Sequence, residues 1–110
     1  MAQTLLAQLA QGEVKLSDVL AFIEAGYTHT PTAFKNGQQA NAATENQGSA
    51  KVFSFAQLNG LNKEQTLSLF AEHYTSVLNT PEASDHQNIR QFMINGWDGI
   101  QFDGTALTAK

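Results

Sequence analysis

Apolar residues recur at helical spacing in five stretches of the chain, and glycine, proline or amide-rich turns separate these stretches. Leu5, Leu6 and Leu9 form the apolar face of the first stretch, and Gly12 provides a stop signal after it. The predicted helices cover residues 2–11, 17–26, 49–59, 62–79 and 84–96. Each is short, as is usual in a small globular domain.

The stretch from Asn62 to Asn79 carries the strongest helical pattern. Asn62 and Gln65 have the spacing of a capping box, and Ser84 and Gln87 repeat that spacing at the start of the last predicted helix. One apolar stripe runs along the stretch, formed by Leu67, Phe70, Tyr74, Val77 and Leu78. The pattern therefore predicts a single continuous helix from Asn62 to Asn79.

Residues 49–59 are compatible with two structures. As a helix, the segment has Ser49 as its N-cap and Gly60 as its stop, and Val52 and Phe55 share one face. As a strand, Lys51 to Phe55 offers β-branched and aromatic side chains. We favour the helix because the cap and stop signals agree with its length.

Two further segments have the character of strands. Thr28, Thr30 and Thr32 alternate through a stretch interrupted by Pro31, which favours extended chain. The Asn36-Gly37 pair predicts a two-residue hairpin turn, with residues 38–42 as the partner strand, and residues 97–102 form a short terminal strand. We therefore predict one compact α+β domain over residues 1–110, with about five short helices and a two- or three-stranded sheet. A purely helical domain is the alternative.

The composition limits the classes of function. The formal net charge is −4, which favours neither nucleic acid nor an anionic membrane as a partner. The chain has no cysteine, which excludes thiol catalysis and zinc–thiolate sites and fits a reducing compartment. No metal-ligand spacing and no phosphate-binding or dinucleotide motif occurs. We expect a cytoplasmic protein with no cofactor and no metal, whose partner is an unidentified protein or small molecule.

Three motifs in order resemble one family. They are residues 27–37 (YTHTPTAFKNG), residues 46–53 (NQGSAKVF), and residues 85–92 (DHQNIRQF) followed by Gly96-Trp97. Together they resemble the HopJ family of small bacterial proteins, named after a type III secretion effector, and the resemblance extends from about Leu5 to Leu107. The resemblance implies no established biochemical activity. The family name implies secretion through a type III system as an alternative to a cytoplasmic location.

The chain departs from the family pattern at Ala50, a position where the family often has cysteine. A thiolate there, at the first residue of a helix, would be favoured by free N–H groups and the helix dipole. Because this chain has Ala50, it cannot use any cysteine–histidine mechanism that the resemblance implies.

Polar residues on both sides of Ala50 remain candidates for a ligand site. On a regular helix His86 and Arg90, four residues apart, can share a ligand, whereas Asn88 points elsewhere. Side-chain amides near Gly48 also commonly satisfy their own loop backbone. The predicted ligand-binding residues are Asn41, Glu45, Asn46, Ser49, His86 and Arg90.

These residues support two main hypotheses for function. The first is a non-enzymatic interaction domain or small-ligand-binding domain, with no catalytic residue. The second is a hydrolase or transferase in which His86 acts with Ser49 or Glu45. A third is a type III secreted effector that acts on a host partner. The sequence leaves open whether the protein is an enzyme.

Overall fold

A computed structural model describes residues 2–12 and 14–110 of the chain. Within these ranges the chain forms six α-helices, one 3-10 helix and five short strands. The helices are α1 (Ala2–Ala10), α2 (Leu16–Gly26), α3 (Gln47–Leu58), α4 (Lys63–Ser68), α5 (Glu72–Asn79) and α6 (Gln87–Asn95). The strands are β1 (Tyr27–His29), β2 (Phe34–Asn36), β3 (Gln39–Asn41), β4 (Ile100–Phe102) and β5 (Leu107–Ala109), and the 3-10 helix is Gly96–Gly99. The predicted α+β class is confirmed.

The strands form two antiparallel sheets, one of order β3-β2-β4 and one that pairs β1 with β5. The predicted hairpin and its terminal partner strand are confirmed in the three-stranded sheet, where Phe34 lies opposite both Asn41 and Phe102. Gly37 at the hairpin tip has φ +60° and donates from its N–H to the carbonyl of Gly99 over 2.9 Å. Glycine fits this position because the left-handed region costs it nothing.

Helix α3 lies at the centre of the core, and the prediction of a helix here is confirmed. The Phe53 side chain is fully buried, and its ring centroid lies 4.9 Å from that of Phe92, 5.3 Å from Phe70 and 6.1 Å from Phe34. One aromatic side chain thus links α3 to α6, to the segment after α4 and to the three-stranded sheet. Such aromatic pairs bury large apolar areas and fix the relative positions of the elements that carry them.

The prediction of one helix from Asn62 to Asn79 is wrong, because the chain turns between α4 and α5. The capping box of Asn62 and Gln65 is present, with hydrogen bonds of 2.8 and 3.0 Å. At Ala71, however, φ is +51° and ψ is −122°, which ends the helical path. The turn allows Leu69 and Phe70 both to be buried, at 0% and 2% exposure. Burial of an additional large side chain therefore outweighs the local helical pattern.

Several other boundaries differ from the prediction. Helix α2, for example, begins at Leu16 with Lys15 as its N-cap, one residue before the predicted start. Helix α3 begins at Gln47 with Asn46 as its N-cap, not at Ser49. Helix α6 has His86 as its N-cap, and Gln87 donates from Nε2 to the carbonyl of Ser84 instead of completing a capping box. Residues 96–99 form the 3-10 helix, so the last strand of the three-stranded sheet begins only at Ile100.

Candidate functional site

A cavity of about 350 Å³ opens where the N-terminal ends of α3 and α6 approach the start of α2 and the region around the start of α5. We call this cavity the histidine cleft. Leu16, Phe70 and Ile89 form its apolar wall. Its polar lining consists of Gln39, Asn46, Gly48, Ser49, His73, His86, Gln87 and Asn88. Such a mixture of apolar walls and a few convergent polar groups is typical of small-molecule sites.

The N-caps of α3 and α6 both face this cleft in the left-handed conformation. Asn46 has φ 52° and ψ 37°, and His86 has φ 51° and ψ 47°. Neither side chain makes a capping hydrogen bond. In the described ranges, the N–H groups of Gly48 and Ser49 have no partner within the protein. Free donors therefore remain available at the wall of the cleft.

Two of the three histidines of the chain meet in the cleft. The ring centroids of His73 and His86 are 4.9 Å apart, and the rings cross edge to face at 70°. Nε2 of His86 lies 3.8 Å from Oδ2 of Asp85, and the other oxygen of this carboxylate accepts from Nη2 of Arg90 over 2.6 Å. The hydrogen bond from Arg90 is the main reason why the pKa of Asp85 lies below its usual value.

Four asparagines form a hydrogen-bonded cluster next to the cleft, which we call the amide cluster: Asn36, Asn41, Asn46 and Asn88. Asn41 and Asn88 exchange reciprocal hydrogen bonds of 3.2 and 3.0 Å. Asn46 donates to Oδ1 of Asn41 over 2.6 Å, and Asn36 donates to the backbone carbonyl of Asn88 over 2.6 Å. The cluster thereby joins the hairpin to the starts of α3 and α6 and fixes two walls of the cleft.

One atom of this cluster lacks a partner. Oδ1 of Asn36 is buried and accepts no hydrogen bond from any described residue. Leaving such an acceptor unpaired costs about 1–3 kcal/mol. The side-chain oxygen and the backbone carbonyl of Asn88 both accept from Nδ2 of Asn36 and hold its side chain in this position.

Gln47, the first residue of α3, fastens the preceding loop. Its Oε1 accepts from the N–H of Thr32 over 3.0 Å and lies 3.1 Å from Nε2 of His29. Its Nε2 donates to the carbonyl oxygens of Thr32 and Glu45, over 3.1 and 2.9 Å. The Glu45 carboxylate accepts from the N–H of Ala42 over 3.1 Å. These contacts satisfy loop backbone groups that would otherwise lack partners.

Helices α2 and α5 are joined beside the cleft by Glu72. Its Oε1 accepts from the N–H of Leu16 over 2.7 Å. Burial acts to raise the pKa of Glu72, but the hydrogen bond from the Leu16 N–H contributes to a net pKa below the usual value. This contact holds the apolar side chain of Leu16 close to the segment that carries His73.

The structure separates the six residues that the sequence predicts as ligand-binding. Asn46, Ser49 and His86 line the histidine cleft, and Asn41 lies beside it in the amide cluster with 3% exposure. Glu45 lines a different groove beside the hairpin. Arg90 does not line the cleft, because its guanidinium bonds to Asp85 and to the carbonyl of Thr80. The expected convergence of His86 and Arg90 assumed that both lie on one helix, whereas His86 precedes α6 as its N-cap.

Four polar side chains of the cleft were absent from the predicted set: Gln39, His73, Gln87 and Asn88. The sequence shows His73 only beside the apolar stripe of the predicted helix 62–79, which is no signal for a ligand site. Asn88 is oriented toward the cleft and the amide cluster because α6 begins at Gln87, a start that the predicted capping box at Ser84 obscured.

Position 50 plays no part in this cleft. Ala50 is the fourth residue of α3, is fully buried, and belongs to the hydrophobic core. A side chain at this position faces the core, so the proposed activation of a thiol at the first turn does not apply to this position.

Within residues 2–12 and 14–110, no group of three or more histidine, cysteine, aspartate or glutamate side chains is placed to hold a metal ion. Over the same residues, every helix is too short or too polar to cross a bilayer.

The fold and the cleft define a small α+β domain with a mixed polar and apolar cavity between helix N-termini. The chain belongs to the HopJ type III effector protein family, whose pattern matches residues 2–107.

One solved relative supports the same architecture. The crystal structure of VPA0580, described as a protein of unknown function, is 50% identical in sequence and superposes with a TM-score of 0.91. The match covers 98% of this chain and 92% of VPA0580. No curated protein matches the chain significantly, and VPA0580 is described as a protein of unknown function, so these comparisons assign no activity.

Proposed function

We propose that this protein is a non-enzymatic domain that binds a small organic ligand in the histidine cleft. The observation that carries the proposal is the combination, in one cavity of about 350 Å³, of an apolar wall with unpaired N–H donors and two imidazoles. Asn46, Ser49 and His86 line this cavity. A cavity of this size suits a ligand well below the size of a protein partner.

The amide cluster supports the proposal because it makes the cleft rigid before any ligand arrives. Asn41 and Asn88 are 3% and 6% exposed, and their reciprocal hydrogen bonds connect β3 to α6. A preformed site loses little conformational entropy on binding.

The test is a small-molecule screen by protein-observed NMR on the wild type, His86→Asn and Ser49→Ala. Asparagine at position 86 removes the imidazole but tolerates the left-handed backbone. His29→Gln is the matched control, because His29 contacts Gln47 and does not line the cleft. We expect hits whose shifts map to the cleft, weakened at least about tenfold by His86→Asn and unchanged by His29→Gln. Hits that all map elsewhere would rule out the cleft as the ligand site.

A second candidate function is a hydrolase or transferase that uses His86 with Ser49. The observation that favours it is that both side chains line the same cleft, whereas Glu45 lies in another groove. Nucleophilic catalysis needs the imidazole within hydrogen-bond reach of the serine hydroxyl, so His86 and Ser49, which share no hydrogen bond in this structure, would have to approach each other when a substrate binds. The test is hydrolysis of a panel of activated esters and phosphate esters. Activity that Ser49→Ala and His86→Asn both abolish, while His29→Gln retains it, would replace the binding proposal with this one.

A further inference from the structure

The residues that line the histidine cleft differ in charge from the chain as a whole. The chain has ten aspartate and glutamate residues and a net charge of −4. Among the described residues, however, the cleft lining contains two histidines and no carboxylate. A cavity that excludes carboxylates in an acidic protein is suited to a ligand of negative charge.

We infer that the ligand carries a carboxylate or phosphate group on a small apolar body, an inference that rests on the proposed function. The imidazoles of His73 and His86, 4.9 Å apart, are the groups that would hold the anion. The Ser49 hydroxyl makes no hydrogen bond within the described ranges, and the same cleft wall contains the free N–H groups of Gly48 and Ser49. Hydrogen bonds from such donors to an ionised oxygen are stronger than those to a neutral one.

The apolar wall of the cleft favours a ligand that carries an apolar group beside its anionic group. Leu16 and Phe70 come from the start of α2 and the turn before α5 and line the same cavity as the imidazoles. Leu16 is half-buried and Phe70 is 2% exposed, so an aromatic or branched aliphatic group would gain affinity by covering Leu16 and by burying its own apolar surface. A bare inorganic anion would leave Leu16 in contact with water and should bind more weakly.

Protonation of the two imidazoles should strengthen binding. Two imidazolium rings at this separation repel each other, and an anion that accepts hydrogen bonds from both rings relieves the repulsion. The other charged groups close to the pair are Asp85 beside His86, Arg90 bonded to Asp85, Glu72 bonded to the Leu16 N–H, and Lys15 before α2. None of these four side chains lines the cleft. Asp85 lies close enough to His86, at 3.8 Å, to compete with the ligand anion.

The experiment titrates isotope-labelled protein with benzoate and with benzamide, which has almost the same shape but no charge. We expect benzoate to shift the resonances of cleft residues and to bind about tenfold more tightly than benzamide at about pH 6, with a smaller difference at about pH 8. Phenyl phosphate, tested beside benzoate at the lower pH, distinguishes phosphate from carboxylate. Inorganic phosphate tests whether the apolar body is needed.

Substitutions test whether the preference for benzoate depends on the imidazoles of His73 and His86. His73→Gln and His86→Asn should each remove the preference for benzoate over benzamide, whereas His29→Gln should keep it. Equal affinity of the two probes, or a preference that does not change between the two pH values, overturns the inference of an anionic ligand while leaving a neutral ligand in the cleft. If no probe and no screened compound shifts a cleft resonance, the inference and the proposed function both fail.

Discussion

The substitution Asn88→Ala tests whether the amide cluster holds the cleft together. It removes three side-chain hydrogen bonds: those accepted from Asn36 and Asn41, both of 3.2 Å, and the one donated to Asn41, of 3.0 Å. None of the partner atoms is left without another hydrogen bond. Nδ2 of Asn36 keeps the carbonyl of Asn88, Nδ2 of Asn41 keeps the carbonyl of Phe34, and Oδ1 of Asn41 keeps Asn46.

The magnitude follows from this count. At about 1 kcal/mol for each hydrogen bond, and without a penalty for unsatisfied groups, Asn88→Ala should lower the free energy of unfolding by about 2–3 kcal/mol. That is a substantial part of the roughly 5–15 kcal/mol typical of a small domain. Asn79→Ala is the matched control, since Asn79 is exposed at the end of α5. It should change stability by less than about 0.5 kcal/mol.

The assay is urea unfolding followed by circular dichroism, extended to a double-mutant cycle with Asn41→Ala. Because the two side chains bond reciprocally, we expect a coupling energy of about 1–2 kcal/mol between them. A loss for Asn88→Ala no greater than that of Asn79→Ala, or a coupling energy near zero, would refute the claim that these amides act as one network.

Two further predictions concern strain and charge. Ala71→Gly should raise the free energy of unfolding by about 1 kcal/mol, because glycine adopts φ +51° without strain. Ala25→Gly, at an exposed position of α2, should lower the free energy of unfolding by a similar amount. Calorimetry in which both substitutions change the stability in the same direction would contradict this prediction. The lowered pKa of Asp85, due first to the hydrogen bond from Arg90, stabilises the folded state above the unfolded pKa of 3.8, and this stability is lost as the pH falls further. As the pH falls from about 4 to about 2, Arg90→Ala should therefore lose less stability than the wild type, and an equal loss of unfolding free energy in the two proteins would contradict this.

The sequence was sufficient where a local signal agreed with the packing. The Asn36-Gly37 turn, the capping box of Asn62 and Gln65, and the central helix around Phe53 are all present. In each case short-range chemistry and burial favour the same backbone, which is the condition under which pattern reasoning succeeds.

The sequence pattern was insufficient where tertiary packing reverses a local preference. The apolar stripe from Leu67 to Val77 predicts one helix, yet the chain turns at Ala71 so that Leu69 and Phe70 can both be buried. No glycine or proline marks this turn, and alanine is the best helix former. The cause lies in contacts with distant residues, such as the packing of Phe70 against Phe53, which periodicity along the chain does not contain.

The candidate site could be predicted only in part, for a related reason. Asn46 and His86 were identified as polar residues near helix starts, but their left-handed conformations decide which neighbours face the cleft. Those conformations place Ser49 and Asn88 at the wall of the cleft, and Arg90 outside it. In the sequence, Glu45 and Arg90 look as suitable for ligand binding as the residues that line the cleft. In the structure, the Glu45 side chain bonds to the N–H of Ala42 and the Arg90 side chain to the carbonyl of Thr80.

Strain and hydrogen bonding in this region have one joint consequence. Two non-glycine residues in the left-handed region, Asn46 and His86, each carry a conformational cost of about 1–3 kcal/mol. Asn46 is held by its hydrogen bond to Asn41, and Asn88 fixes the start of α6 next to His86. The buried network therefore stabilises two conformations that the chain would not adopt alone, and both of them line one cavity. Because strained backbone conformations cluster at functional sites, the amide cluster and the cleft should be tested together.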